Sequence, residues 1–183
     1  MQKVVILCEG KKDSEFLREI LNILGKKAKI FDQNERYKIK NLKFCENREF
    51  NKFLQNTSPY SVLVKSEAGK QKAIKLLVSI LDFLIDNNLK TILLLDLDGS
   101  TLNNLEKKIN DCVRRNNYNL SCKKTKQVNN MINCKVKIYK SKKEKEIYDL
   151  DLVLFANSLE KELEVMSLNQ LVKKYKEVIS SCF

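Results

Sequence analysis

The 183-residue chain contains no histidine and no tryptophan, one proline and four glycines. Without histidine, neither a Ser-His-Asp triad nor a Cys-His pair can be assembled. Any chemistry therefore falls to carboxylates, lysine, tyrosine or a bound metal. The six cysteines (Cys8, Cys45, Cys112, Cys122, Cys134 and Cys182) form no C-x-x-C pair. With no histidine to complete a ligand set, this argues against a zinc site and for small buried apolar side chains. So little glycine and proline also speaks against a many-turned β-sandwich, a collagen-like repeat or a flexible linker. No apolar run reaches the ~18 residues of a membrane span, and the longest, around Leu89–Leu95, is interrupted by Lys90 and Thr91. The opening apolar stretch is too short for a signal peptide and ends in an acid. It reads as a strand, and a cytoplasmic protein without a membrane partner is expected.

What the chain has in excess is positive charge, a formal +12. A lysine-rich background accounts for part of it, but the distribution is uneven. Residues 114–146 hold eleven Lys/Arg against two Glu. Arg114, Arg115, Lys123, Lys124, Lys126, Lys140, Lys142 and Lys143 are the expected contacts to a polyanion, RNA or DNA, with Lys135, Lys137 and Lys145 in the same stretch. At 43% hydrophobic residues the chain can bury a core of one domain.

The apolar pattern alternates between short continuous runs and helical spacing. Lys3–Cys8 reads as a strand buried on both faces. Asp13 can cap a following helix carrying Phe16, Leu17, Ile20, Leu21 and Leu24, which Gly25 ends. Ala28–Phe31 reads as a short strand. Residues 32–58 form a polar, basic insertion with Tyr37, Phe44, Phe50 and Phe53, read as a small satellite core rather than a base-stacking surface. Ser61–Val64 is a strand, and a long helix runs from Gly69 to about Asn88. Thr91–Leu95 is a further buried strand, followed by a helix marked by Leu102, Leu105, Ile109 and Val113. Lys135–Tyr139 alternates like an edge strand. Two helices near Ser158–Met166 and Leu168–Ser180 close the chain, the second opened by a Ser167/Gln170 capping box. The expected fold is α/β, a Rossmann-like, mostly parallel sheet flanked by helices. Its domain spans 1–146, with a C-terminal helical segment over 147–183 packing on it.

Parallel sheets bind ligands beyond the carboxyl ends of their strands. Two predicted strands end there in acids, Cys8-Glu9-Gly10 and Leu95-Asp96-Leu97-Asp98-Gly99. One acid after a strand is ordinary turn chemistry. Two such ends predict that Glu9, Asp96 and Asp98 gather around a divalent cation, and all-oxygen ligands suit Mg²⁺ or Mn²⁺.

Strand-Glu-Gly near the start, then strand-Asp-x-Asp-Gly half a domain later, resembles the Toprim family of topoisomerases, primases and nucleases. Glu9-Gly10-Lys11-Lys12-Asp13 is similar to the first motif in small ribosomal-RNA maturases and overcoming-lysogenization-defect-type nucleases. Ser66-Glu67-Ala68-Gly69-Lys70 is similar to their glycine-bearing turn. The resemblance covers about residues 1–140. It implies a Toprim-like fold and metal-dependent phosphoryl transfer on nucleic acid, with Glu9 as general acid/base or metal ligand. Asp96 and Asp98 would hold Mg²⁺, assisted by Asp13, and Gly10, Gly69 and Gly99 would be the motif glycines. Lys11 and Lys70 would join the polyanion contacts. The doubled glycine of the family is Ala68-Gly69 here, and Ser100 and Thr101 stand where nuclease-type members carry further acids.

Two other readings stay open. One is a non-catalytic nucleic-acid-binding module on the same fold, with a protein partner supplying specificity. The other is a haloacid-dehalogenase-like phosphatase, since Asp96-Leu97-Asp98-Gly99-Ser100-Thr101 also resembles that family's first motif, with Asp96 as nucleophile. Asp149 and Asp151 fit its later acidic pair poorly, because no clear strand precedes them. The Gly69-Lys70 pair is not a phosphate loop, because the earlier glycine is Val64 and Gln71 replaces Ser/Thr.

Overall fold

The structure, a computed structural model, describes residues 3–31, 48–55, 57–140 and 146–183. It is a mixed α/β fold whose seven strands form one mostly parallel sheet flanked by helices. They are β1 (Val4–Cys8), β2 (Ala28–Phe31), β3 (Val62–Ser66), β4 (Lys90–Asp96), β5 (Tyr118–Val128), β6 (Met131–Lys140) and β7 (Glu146–Phe155). Within residues 3–91 the strand order is β2-β3-β1, and from β4 on it is β4-β7-β6-β5. The helices are α1 (Lys11–Ile23), α2 (Arg48–Leu54), α3 (Lys70–Asp86), α4 (Leu102–Arg114), α5 (Leu159–Val165) and α6 (Leu168–Ser180). Two compact units divide between Thr91 and Ile92. Among the described residues no helix is long and apolar enough to cross a membrane.

In the first unit β3 pairs in parallel with β1 and β2. Every residue of β1 and β3 is buried, which explains the unbroken apolar runs Val4–Cys8 and 62–64. Helix α1 covers β2 and β3, and α3 covers β1. The stop at Gly25 is a Schellman turn. Its own N–H donates to Asn22 O, that of Lys26 donates to Leu21 O, and Gly25 takes φ 65°. Phe50 and Phe53 of α2 are fully buried, and the Phe50 ring lies 5.2 Å from that of Phe83. These two aromatics are the satellite core expected from the sequence, whereas Tyr37 and Phe44 lie outside the described residues.

The second unit departs further from expectation. The basic stretch folds as a hairpin: β5 and β6 pair antiparallel and are closed by Asn129-Asn130, with Asn129 at φ 51°. The segment after 146 opens with a strand, and its helices begin only at Leu159. Strand β7 runs parallel to β4 and antiparallel to β6, so β6 is interior and not an edge. The lysines that made β6 look like an edge are paired with acids on β7. Lys135 meets Asp151 at 2.9 Å and Lys137 meets Glu146 at 2.7 Å. Alternation in β6 therefore reflects cross-strand ion pairing on one face rather than solvent at an edge.

The true edge is β5, and α4 seals part of it. Leu105, Ile109 and Val113 bury the helix, whereas Glu106 and Asn110, one helical turn apart, accept the outward N–H groups of Cys122 (2.8 Å) and Leu120 (3.0 Å). Two side chains thus stand in for the carbonyls of a missing neighbour strand. Helix α6 covers β5 and β6 and starts with the expected Ser167/Gln170 capping box. Replacing both acceptors (Glu106→Ala/Asn110→Ala) is expected to cost about 1–2 kcal/mol and to speed amide exchange at Leu120 and Cys122. A denaturation midpoint and exchange rates equal to wild type would show that the edge needs no cap.

Candidate functional site

At the carboxyl end of β1 the chain turns directly into α1. Gly10 is the N-cap, and its N–H donates to Asp13 Oδ2 at 2.8 Å. Asp13, expected to cap the helix itself, does so from its third position and is only 5% exposed. Its carboxylate is thus committed to the helix start. The Glu9 loop is stitched to the loop after β3, since Glu67 N–H donates to Cys8 O (2.9 Å) and Gly69 N–H to Glu9 O (2.8 Å). The structure therefore brings Glu9, Gly10, Asp13, Gly69 and Lys70 onto two joined turns of the first unit. Lys11 pairs with Glu15 at 3.6 Å on the surface of α1.

The sequence did not single out Lys65, which is buried at the end of β3. Its Nζ lies 2.9 Å from Glu67 Oε1 and donates to Ser66 O at 2.7 Å. A lysine inside the run Val62-Leu63-Val64-Lys65 was the available signal, because a buried strand admits an ammonium only with an acid and carbonyls around it. This pair fixes the Glu67 carboxylate on the loop bonded to that of Glu9.

In the second unit Asp96 ends β4, and Asp98 lies in the turn that follows. Leu97 N–H donates to Phe155 O at 2.8 Å, and Ser100 N–H reaches back to Leu97 O at 2.9 Å. The two central residues of that turn, Asp98 (φ 50°) and Gly99 (φ 75°), both have positive φ. The backbone reversal leaves Asp96 buried before the turn and Asp98 exposed within it. Thr101 then caps α4, accepting from Asn104 N–H at 3.2 Å. Among the described residues no group of three or more His, Cys, Asp or Glu side chains is arranged to hold a metal ion. The donor chemistry at this turn still suits Mg²⁺, which binds through one or two carboxylates and keeps several waters.

Asp149 and Asp151 do lie in a strand, but in the middle of β7. Asp151 pairs with Ile92, four residues before the Asp96–Phe155 pair. That is about 13 Å from the strand end, where Ala156 and Asn157 follow. This placement does not favour the acidic pair of the phosphatase reading.

A second buried polar cluster lies on α5 and α6. Glu162, 7% exposed, accepts from Tyr175 OH at 3.1 Å, pairs with Lys174 at 3.2 Å and is bonded by Asn130 of the hairpin turn. Glu162, Lys174 and Asn130 border a cavity of about 540 Å³. Burial alone would raise the Glu162 carboxyl, but the bonds from Asn130, Lys174 and Tyr175 outweigh it and hold it below its ordinary value. The legible signal was an acid three residues after Leu159, on the apolar face of its helix.

The expected polyanion contacts Arg114, Arg115, Lys123, Lys124, Lys126 and Lys140 are all exposed, on α4, the turn after it, β5 and β6. Lys142, Lys143 and Lys145 lie outside the described residues.

No family model and no curated protein matches the chain. Among solved structures it is similar to a de novo designed protein of P-loop NTPase fold determined by solution NMR. Identity is 21%, covering 60% of this chain and 74% of that one, with a TM-score of 0.34.

Of the three motif glycines, Gly10 is in extended backbone (φ −152°), and an added Cβ would approach nothing closer than 3.8 Å. Gly69 (φ 101°, ψ 162°) occupies a region closed to side chains. Gly69→Ala should therefore lower stability by about 1–3 kcal/mol, and Gly10→Ala by under about 0.5 kcal/mol. Equal urea midpoints for the two variants would contradict this. Because the folded Glu162 carboxyl is depressed, its stabilisation is present above the reference value of 4.5 and is lost as pH falls below it. Melting curves of wild type and Glu162→Gln should converge as the pH is lowered from 6 toward 3. Parallel curves would show that Glu162 contributes no such linkage.

Proposed function

We propose that this chain is a Toprim-type, Mg²⁺-dependent nuclease or related phosphotransferase acting on nucleic acid in the cytoplasm, with Glu9, Asp96 and Asp98 as its working residues. The observation that carries the reading is the turn at the end of β4. There Asp96 is the last residue of the strand and Asp98, at φ 50°, is the first central residue of the reversal, so two acids stand two residues apart where the chain turns. An Asp-Gly pair takes this tight turn readily, so the placement of Asp98 beside Asp96 is fixed by the local sequence. The reading is supported by Glu9, which occupies the corresponding position after β1, on a loop fixed by two backbone hydrogen bonds.

Asp96 and Asp98 would hold the ion, with Glu9 as a further ligand or as the group that moves a proton between water and the leaving oxygen. When bound, Mg²⁺ supplies charge stabilisation on the scissile phosphate and lowers the pKa of water. Asp13 acts indirectly, fixing Gly10 and hence the direction in which Glu9 leaves the strand. The exposed cations of α4 and β5 hold the substrate backbone.

Incubation with RNA and DNA in Mg²⁺ or Mn²⁺ should give phosphodiester cleavage that EDTA abolishes. Glu9→Gln and Asp96→Asn should each reduce it at least ~10²-fold without lowering the melting temperature. Salt-sensitive binding with no cleavage in either metal would leave the non-catalytic module in its place. Monoester hydrolysis that needs Asp96 but not Glu9 would establish the phosphatase.

A further inference from the structure

The basic segment that looked uniform in sequence is divided by the hairpin into two kinds of cation. On β6, Lys135 and Lys137 are ion-paired to Asp151 and Glu146. On β5 the paired residues Asn119–Tyr139, Ser121–Lys137, Lys123–Lys135 and Lys126–Asn133 set Lys123 and Lys126 on one face, both exposed. Helix α4 extends that face. Glu106, Asn110 and Arg114 follow one another at four-residue spacing along the β5 edge, and Arg114 Nε donates to Asn119 Oδ1 at 3.3 Å. Lys107, exposed and seven residues before Arg114, lies on the same side of the helix.

We infer that the nucleic-acid surface is the α4–β5 edge, formed by Lys107, Arg114, Lys123 and Lys126, and that it binds duplex backbone rather than single strands. The inference rests on the nucleic-acid reading above and narrows it. Charge complementarity supplies the partner, because a rigid helix and an adjoining strand present fixed cations to a rigid array of phosphates. The aromatic content supplies the strand preference. Tyr118 is buried, and Tyr139, the other ring on these elements, is half-buried with its hydroxyl 3.4 Å from Ser121 Oγ, so α4, β5 and β6 offer no row of exposed rings on which successive unpaired bases could stack. Lys135 is excluded because its ammonium offsets the buried Asp151 carboxylate, and Lys137 because the adjacent Glu146 carboxylate already neutralises its charge toward a polyanion.

The test measures binding of labelled nucleic acid of mixed sequence, about 20 base pairs or 20 nucleotides long, in EDTA across a salt series. Working without metal separates this surface from catalysis: a protein that binds here yet never cleaves leaves the surface intact and overturns the nuclease. Duplex DNA or RNA should bind at least as tightly as a single strand of equal length. Lys107→Ala, Arg114→Ala, Lys123→Ala and Lys126→Ala should each reduce the slope of log K against log salt by about 1. Lys137→Ala, which removes the same unit of charge, should leave the slope unchanged. Each site is exposed, so melting temperatures should stay near wild type. Tighter single-strand binding, or a Lys137→Ala slope change equal to that of Lys123→Ala, would overturn the assignment.

Discussion

The contact between Lys135 and Asp151 decides how the second half of the chain is built. Asp151 is 1% exposed in a strand with neighbours on both sides, and a bare carboxylate there would cost several kcal/mol. The ammonium from the next strand, 2.9 Å away, makes that burial tolerable. It thereby allows β6 to lie beside β7 in this register and no other, since a slip of one residue would send every lysine of β6 to the apolar face. Lys137, two residues further along β6, pairs on the surface with Glu146 at the start of β7. Once these pairs are made, the remaining positive charge stands on β5 and α4.

Most of the fold was legible because its strands obey simple rules. β1, β3 and β4 are buried nearly throughout and read as continuous apolar runs. Helix ends followed capping chemistry closely, Ser167 and Gly25 included. The misreadings of β6 and β7 share one physical origin, whereas β5 carries no strand pattern because its second half is exposed on both faces. Lys-Val-Lys-Ile-Tyr and Asp-Leu-Asp-Leu alternate like solvent-facing strands, yet their charged halves face one another across an interior pairing. Single-strand periodicity cannot distinguish water from an opposite charge on a neighbour, so β6 was assigned to an edge and β7 was missed. The helical reading of 147–183 followed from that omission.

The candidate site was legible in part. Asp96, Asp98 and Glu9 do stand at the ends of their strands, as the motif spacing required. What sequence could not supply was the backbone. Gly10 is conformationally ordinary while Gly69 and Asp98 are not, and that contrast appears only in the dihedral angles. Lys65 escaped notice because a single lysine in an apolar run looks like an interruption, whereas it is held by Glu67 and Ser66 O.

The way α4 covers β5 also bears on self-association. A sheet margin is a template on which a second copy can crystallise into a growing ribbon, and proteins survive by denying it partners. Here the first half of the margin is saturated by Glu106 and Asn110, whereas the second half relies on like-charge repulsion between lysines. That guard weakens as the Debye length shrinks, so high ionic strength, which would strip a polyanion from the surface, also removes the barrier to strand-on-strand stacking.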